Sequence, residues 1–201
     1  MDKVNKHFRS SLFFGNDFPF HIAKFRHNAK EYTPEIIHKR EFCKIIFVVK
    51  GHGKKIINNE TYPMKSGSLF VIHPEDNTAF DIKSSEIEIY NILFMPELIA
   101  DGIKELNSSF SFFSIFQSTF ETDIKREVRE QFYIHDSTRD IETLIKRIDR
   151  EYKRKAINYR SVLKFQLLEL LALICRLSTG KIKRNKERLI GYIYHIINEH
   201  Y

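Results

Sequence analysis

His38, Arg40, Phe42 and Lys44 recur at every second position of the stretch HKREFCKIIFVVKG, residues 38–51. In an extended strand alternate side chains share a face. This spacing therefore sets an imidazole, a guanidinium, a phenyl ring and an ammonium side by side. Arg and charged Lys donate hydrogen bonds and accept none. Two or three such donors converging in a partly dry space favour an anion, a carboxylate or phosphate, which Arg grips through two parallel hydrogen bonds. A plainer reading stands beside this one, because buried charge is costly unless paired. Arg40 then pairs with a carboxylate, near Glu41 or at Glu88, and Lys44 carries its ammonium out to water. The chain has no Ser/His/Asp spacing and no glycine-rich phosphate loop, so no catalytic residue is assigned.

The elements that position these residues fall in three zones. From 1 to about 96 the chain reads as short strands with turn signals between them. CKIIFVVKG ends at Gly51; Lys54–Ile57 and Tyr62–Met64 flank a turn at NNE; SLFVIHP stops at Pro74; IEIYNILFM precedes Pro96. Such regular spacing predicts a sandwich or barrel. The second zone, to about 136, is mixed. PELIADGIKEL predicts a short helix, and the Phe- and Ser-rich SSFSFFSIFQSTF an irregular element packed on the strands. The third zone is helical. Ile141, Leu144, Ile145, Ile148 and Tyr152 form one face of an amphipathic helix. From Val162 to Leu177 the pattern is apolar nearly all round, which predicts a helix buried on several sides. A second copy of the chain is the simplest extra partner, so Leu163, Leu167, Leu170, Leu171 and Ile174 are the expected dimer contact. STGKIKRNK, 178–186, reads as a basic linker, and ERLIGYIYHIINEHY as the start of another amphipathic helix.

Composition sets limits on function. The chain has 201 residues, 42% apolar, and a net charge of +7. Residues 1–100 hold 14 Lys and Arg against 12 Asp and Glu, whereas residues 139–188 hold 15 against 6. The second block is either a solvated helix face or a surface for phosphates. No apolar run approaches the roughly 20 residues of a membrane span, and the start does not read as a signal peptide. Cys43 and Cys175 sit in apolar runs without CxxC spacing, which predicts buried thiols in a reducing cytoplasm.

The order of these elements resembles the AraC family of bacterial transcription regulators. Two segments carry the resemblance: HKREFCKIIFVVKGHGKKIINNETYPMKSGSLFVIHPED (38–76), similar to the family's cupin sensor, and IGYIYHIINEHY (190–201), similar to the first helix of its double helix-turn-helix domain. The resemblance implies an α+β fold, a cupin-like antiparallel β-barrel (jelly roll) at 1–96. A helical region at 97–177 packs on the barrel and forms a homodimer, and 178–201 is a linker and first DNA-binding helix. The rest of that DNA-binding domain is not in the chain, which is therefore expected to be the effector-sensing and dimerisation part of a regulator. DNA binding is expected only through the missing part.

Under the same resemblance, the face bearing His38, Arg40, Phe42 and Lys44 lines the barrel and binds a small-molecule effector. Metal-binding cupins place two His, a carboxylate and a further His where this chain has His38, Arg40, Lys44 and Thr78. One imidazole among cations is a poor set for a divalent ion, so no metal and no cofactor are expected, and the cupin-enzyme reading falls with them. Tyr62 and Phe80 are candidates to stack on a sugar or aromatic effector, or are plain packing. In sugar-sensing members a short N-terminal arm closes over the effector, and here Phe8, Arg9, Phe13 and Phe14 are the residues for it. Alternatively SLFF is simply the first strand. The other reading of the whole chain is a ligand-free dimerisation or protein-interaction module.

Overall fold

The run CKIIFVVK is apolar at nearly every position because the strand that it forms is covered on both sides. The structure, a computed structural model, describes residues 4–15, 18–28, 36–74, 76–84, 86–99 and 132–182. Among these residues the strands are β1 (Val4–Phe8), β2 (Phe20–Asn28), β3 (Ile36–Arg40), β4 (Cys43–Lys50), β5 (Gly53–Ile57), β6 (Glu60–Met64), β7 (Ser68–Ile72), β8 (Thr78–Ile82), β9 (Glu86–Phe94) and β10 (Phe132–His135). Two helices follow, α1 (Asp140–Arg154) and α2 (Tyr159–Ile182). The strands make two five-stranded sheets, ordered β1-β3-β8-β5-β6 and β10-β7-β4-β9-β2. This is the α+β, cupin-like architecture that the sequence predicts.

Strand periodicity divides the β4 side chains between two cores. Ile46 and Val48 join Ile57, Phe70, Ile72 and Phe80 between the sheets. Cys43, Ile45 and Phe47 point the other way and join Ile141, Leu144, Leu163 and Leu167 between the second sheet and the helices. The hairpin falls where NNE places it. Asn58 and Asn59, with φ of 46° and 75°, link Ile57 to Glu60, the left-handed pair that a two-residue type I′ turn requires. At Gly51, φ is +99° and a Cβ would lie 2.7 Å from the Glu86 carbonyl oxygen, so only glycine fits there.

Several details depart from the sequence reading. β1 runs parallel to β3, with Val4 opposite Ile36 and Phe8 opposite Arg40, because the chain between them crosses to the other sheet to form β2. The SLFF segment is not a strand; Ser10–Leu12 is a 3-10 turn after β1. β10, at the end of the mixed second zone and within the region 97–177 that the resemblance implies to be helical, pairs with β7 and extends the second sheet. Of the helix expected at PELIADGIKEL, Pro96–Ile99 is a 3-10 turn, and residues 100–106 lie outside the described residues. The Phe- and Ser-rich segment and residues 183–201, with the second amphipathic helix, lie outside the described residues. α2 continues to Ile182, through part of the expected linker. No described helix is long and apolar enough to cross a membrane.

The largest correction concerns the dimer contact. Leu163, Leu167, Leu170, Leu171 and Ile174 are completely buried within a single chain, against the second sheet and α1. A side chain already removed from water by its own sheet has no surface left for a second copy. On the opposite side of α2 Phe165 is left 67% exposed, while Leu177, 40% exposed, continues the face of Leu170 and Ile174 further along the helix. Leu167→Ala is therefore expected to destabilise the monomer by about 2–5 kcal/mol in urea unfolding. Leu167→Asp is expected to abolish folding rather than to release a soluble monomer, as circular dichroism and sedimentation will show.

Candidate functional site

Both sheets contribute to a cavity of about 210 Å³. β3 supplies His38 and Arg40, and Phe42 follows at the corner into β4, which supplies Lys44. Thr78 and Phe80 come from β8, Phe25 and His27 from β2, and Ile89, Asn91 and Leu93 from β9. Phe8 and Phe13, from the end of β1 and the turn after it, complete the wall. Strand register explains the assembly. His38 sits opposite Thr78, and Phe80 opposite Lys55 of β5, so alternate residues of three neighbouring strands share one face. Lys44 approaches from the facing sheet.

Arg40 is 3% exposed. Its Nη2 donates to Thr78 Oγ1 at 2.6 Å and to the His38 carbonyl oxygen at 3.1 Å, which fixes the plane of the guanidinium. Lys55 is completely buried, with Nζ 3.5 Å from the centre of the Phe80 ring and no hydrogen-bond partner among the described groups. Burial pushes the Lys44 amine down to about 7, and the Arg40 charge adds to the effect. Burial, then Arg40 and Lys44, hold Lys55 well below the ordinary 10.5. Burial first, and then Lys55, Lys44, Arg40 and Lys6, bring the His38 imidazole to about 3, so that it is neutral. Among the described residues no carboxylate pairs with Lys44 or Lys55.

The pairing alternatives are not realised as the sequence suggests. Glu88 is held by Lys24 and by Arg26 at 3.1 Å. Glu41 accepts from the Ser10 backbone N–H at 2.9 Å and the Ser10 hydroxyl at 3.2 Å. Those bonds, the backbone one foremost, lower the Glu41 pKa, and they fasten the N-terminal segment beside the cavity. There Phe8 lies on His38 (5.5 Å between centroids), and Phe13 and Phe14 meet Phe42 edge-on at 5.3 and 5.5 Å.

Of the nine residues expected to meet an effector, the cavity gathers Phe8, His38, Arg40, Phe42, Lys44, Thr78 and Phe80. Arg9 is exposed and does not line it. Tyr62 does not line it either: its hydroxyl donates to Glu60 at 2.6 Å and its ring packs near Tyr133. Sequence reasoning missed Phe13's place in the wall, Phe25, His27, Asn91 and Lys55. Two of these carried a signal. Lys55 is in phase with buried Ile57, and Asn91 is in phase with Ile87, Ile89 and Leu93 of an otherwise apolar strand. Asn91 Oδ1 is buried without a hydrogen-bond partner among the described groups.

The donors of these side chains suit an anion better than a metal ion. The four positions His38, Arg40, Lys44 and Thr78 do share the cavity, but they supply one imidazole, one hydroxyl and two cationic donors. Such a set does not fit a divalent ion. Apolar rings on several sides add surface for a ligand body, and the neutral His38 and Asn91 add uncharged hydrogen-bonding groups.

Comparison with known proteins places residues 22–146 within the model of the AraC-like ligand binding domain. HTH-type transcriptional activator RhaR of Cronobacter sakazakii is 32% identical over 60 residues, 30% of this chain and 21% of that protein. RhaR of Escherichia coli K12 is 30% identical over the same shares. The matched segment thus spans about a fifth of these curated relatives. Among solved structures, ToxT from Vibrio cholerae O395 bound to (E)-4-(8-methylnaphthalen-1-yl)but-3-enoic acid is 13% identical. The match covers 81% of this chain and 57% of that one, with a TM-score of 0.48. A cupin protein from Bacteroides fragilis is 18% identical over 38% of this chain and 66% of its own, with a TM-score of 0.34.

The unpartnered Lys55 amine gives a prediction of sign. Its folded pKa is below its unfolded one, so between the two the unfolded chain holds a proton that the folded chain lacks. Stability then rises with pH until the ordinary lysine value is passed. Lys55→Met keeps the length and removes the buried polar group. It is expected to raise stability at pH 7 by about 1–3 kcal/mol and to flatten the rise between pH 7 and 10, measured by urea unfolding across that range.

Proposed function

The chain belongs to the AraC-like ligand-binding family, and on that premise we propose that its barrel senses a small anion with an apolar, ring-sized body. The observation that carries the proposal is the cavity itself, walled by phenyl rings, with Arg40 held by Thr78 and two lysine amines close by for which the described residues supply no carboxylate. The domain is of the ligand-binding type found in transcription regulators. In the full regulator, a helix-turn-helix part beginning near the segment that resembles its first helix binds DNA in the cytoplasm. The effector acts by binding one arrangement of the arm, barrel and helices better than another, since only differential affinity shifts an equilibrium. No enzymatic step is assigned, consistent with the transcription regulators among its relatives.

A thermal-shift comparison tests the anion. Benzoate and phenyl phosphate are expected to raise the melting temperature in a saturable way, because a ligand that binds only the folded state stabilises it. Benzyl alcohol is expected to do so much less, and Arg40→Gln to remove most of the difference. Equal stabilisation by the neutral alcohol would assign the cavity to an uncharged ligand.

Homodimerisation is part of the same proposal, on the open side of α2 in place of the buried leucines. Phe165 is the large apolar group exposed there among the described residues. Phe165→Glu is expected to convert a dimer to a folded monomer in sedimentation velocity, with an unfolding midpoint close to that of the parent chain.

A further inference from the structure

An anion site must keep its cations together before the anion arrives. Lys44 is the cavity-lining group for which that is hardest. Its neighbours in register, Ile72 on β7 and Leu93 on β9, are apolar. Among the described residues the titratable or charged groups around it are Arg40 and His38 on β3, Lys55 on β5 and His27 on β2. All of them are basic. Among the described residues no carboxylate acts on Lys44.

We propose that above neutral pH the cavity takes up its anion together with a proton from solvent, which binds the Lys44 amine, so that in that range this lysine is fully charged only when the ligand is present. This deepens the anion reading above and rests on it. The step is a protonation and nothing more: the neutral amine gains one proton from the buffer, and the bound anion balances the ammonium so formed.

Two features of the site support it. Lys44 is poised to change state, since burial and the Arg40 charge bring its amine to about 7. A carboxylate in the cavity opposes both effects: its charge attracts the ammonium, and its oxygens accept the ammonium's hydrogen bonds. The wall of the cavity is also fixed independently of Lys44. Arg40 is tied to Thr78 and to the His38 carbonyl, so the guanidinium is present to receive the anion at any pH at which the protein is folded. The sign follows. Above pH 7 the empty site holds Lys44 mostly as the amine, and binding takes up a proton; below pH 7 Lys44 is already protonated and binding takes up little. Affinity for a fully ionised ligand therefore falls as pH rises above 7, by up to about tenfold per pH unit for one linked proton. Regulation of this kind makes the sensor respond to a weak acid most strongly when the cytoplasm is itself acidified.

The test is isothermal titration of benzoate, ionised throughout the range, into the 201-residue chain between pH 6 and 9, in pairs of buffers that differ in ionisation enthalpy. Expected is an uptake that is small at pH 6 and approaches about one proton per ligand at pH 8.5. Lys44→Arg carries a permanent charge; it is expected to bind benzoate with little dependence on pH and no uptake. Lys44→Met is expected to bind more weakly, also without uptake. Benzoate binding to the parent chain with no proton uptake at pH 8.5 overturns the proposal and leaves the anion reading standing. Uptake that survives in both Lys44 variants also overturns it and assigns the proton to another group, His38 or Lys55. If neither benzoate nor phenyl phosphate binds the parent chain at any pH, the anion reading itself is overturned.

Discussion

Basic groups held together away from water repel one another, and in this barrel Arg40, Lys44 and Lys55 do so with His38 among them. Desolvating a charge is worth several kcal/mol of opposition to folding, so the two lysines yield protons more readily than free lysines do. The scaffold must hold the site against that repulsion. It does so by taking them from three strands whose register is locked: β3, with His38 opposite Thr78 and Arg40 two residues on; β5, with Lys55 opposite Phe80; and β4, with Lys44 between Ile72 and Leu93 on the facing sheet. None of these groups can retreat without breaking a ladder. The Phe80 ring, under the Lys55 amine, supplies the compensation that an aromatic face can give a cation.

The same sheet that presents Lys44 also carries the helices. Because β4 alternates, Lys44, Ile46 and Val48 look toward the space between the sheets, while Cys43, Ile45 and Phe47 look toward α1 and α2. A displacement of β4 is therefore felt on both sides. A second connection runs along the barrel margin. Phe13 lines the cavity, packs on Phe42 at 5.3 Å and lies 6.2 Å from His21, and His21 Nδ1 is 3.0 Å from the Tyr152 hydroxyl on α1. Arm, cavity and helix thus share one run of contacts, with Glu41 and Ser10 securing its outer end.

The sequence was most informative where one period dominates. Alternation in β4, the NNE turn and the stripe of α1 all correspond to elements in the structure, because each depends on local backbone preference and on which face is apolar. It was least informative where a segment could satisfy more than one partner. FYIH has no length to distinguish a strand from a turn, and β10 exists because β7 offers it a free edge. α2 is apolar over most of its surface, so periodicity alone could not say which side meets the sheet. The face of Leu163, Leu167, Leu170, Leu171 and Ile174 meets it, and Phe165 is left outside.

For the site, spacing along one strand was enough to set His38, Arg40, Phe42 and Lys44 together, since alternate residues share a face whatever the fold. Resemblance to a barrel family added Thr78, Phe80 and Phe8. Nothing local, however, brings Lys55 under Phe80, Asn91 beside Lys44's strand or Phe25 and His27 across from His38. These meet only because two sheets close on each other, and sheet closure is a long-range event decided by packing. What the sequence by itself determined was therefore the sign of the site: a cationic face in place of metal ligands. The tertiary structure decided how many basic groups share it, which aromatic rings enclose it, and that the leucines of α2 belong to the core, because those depend on which surfaces exclude water from one another.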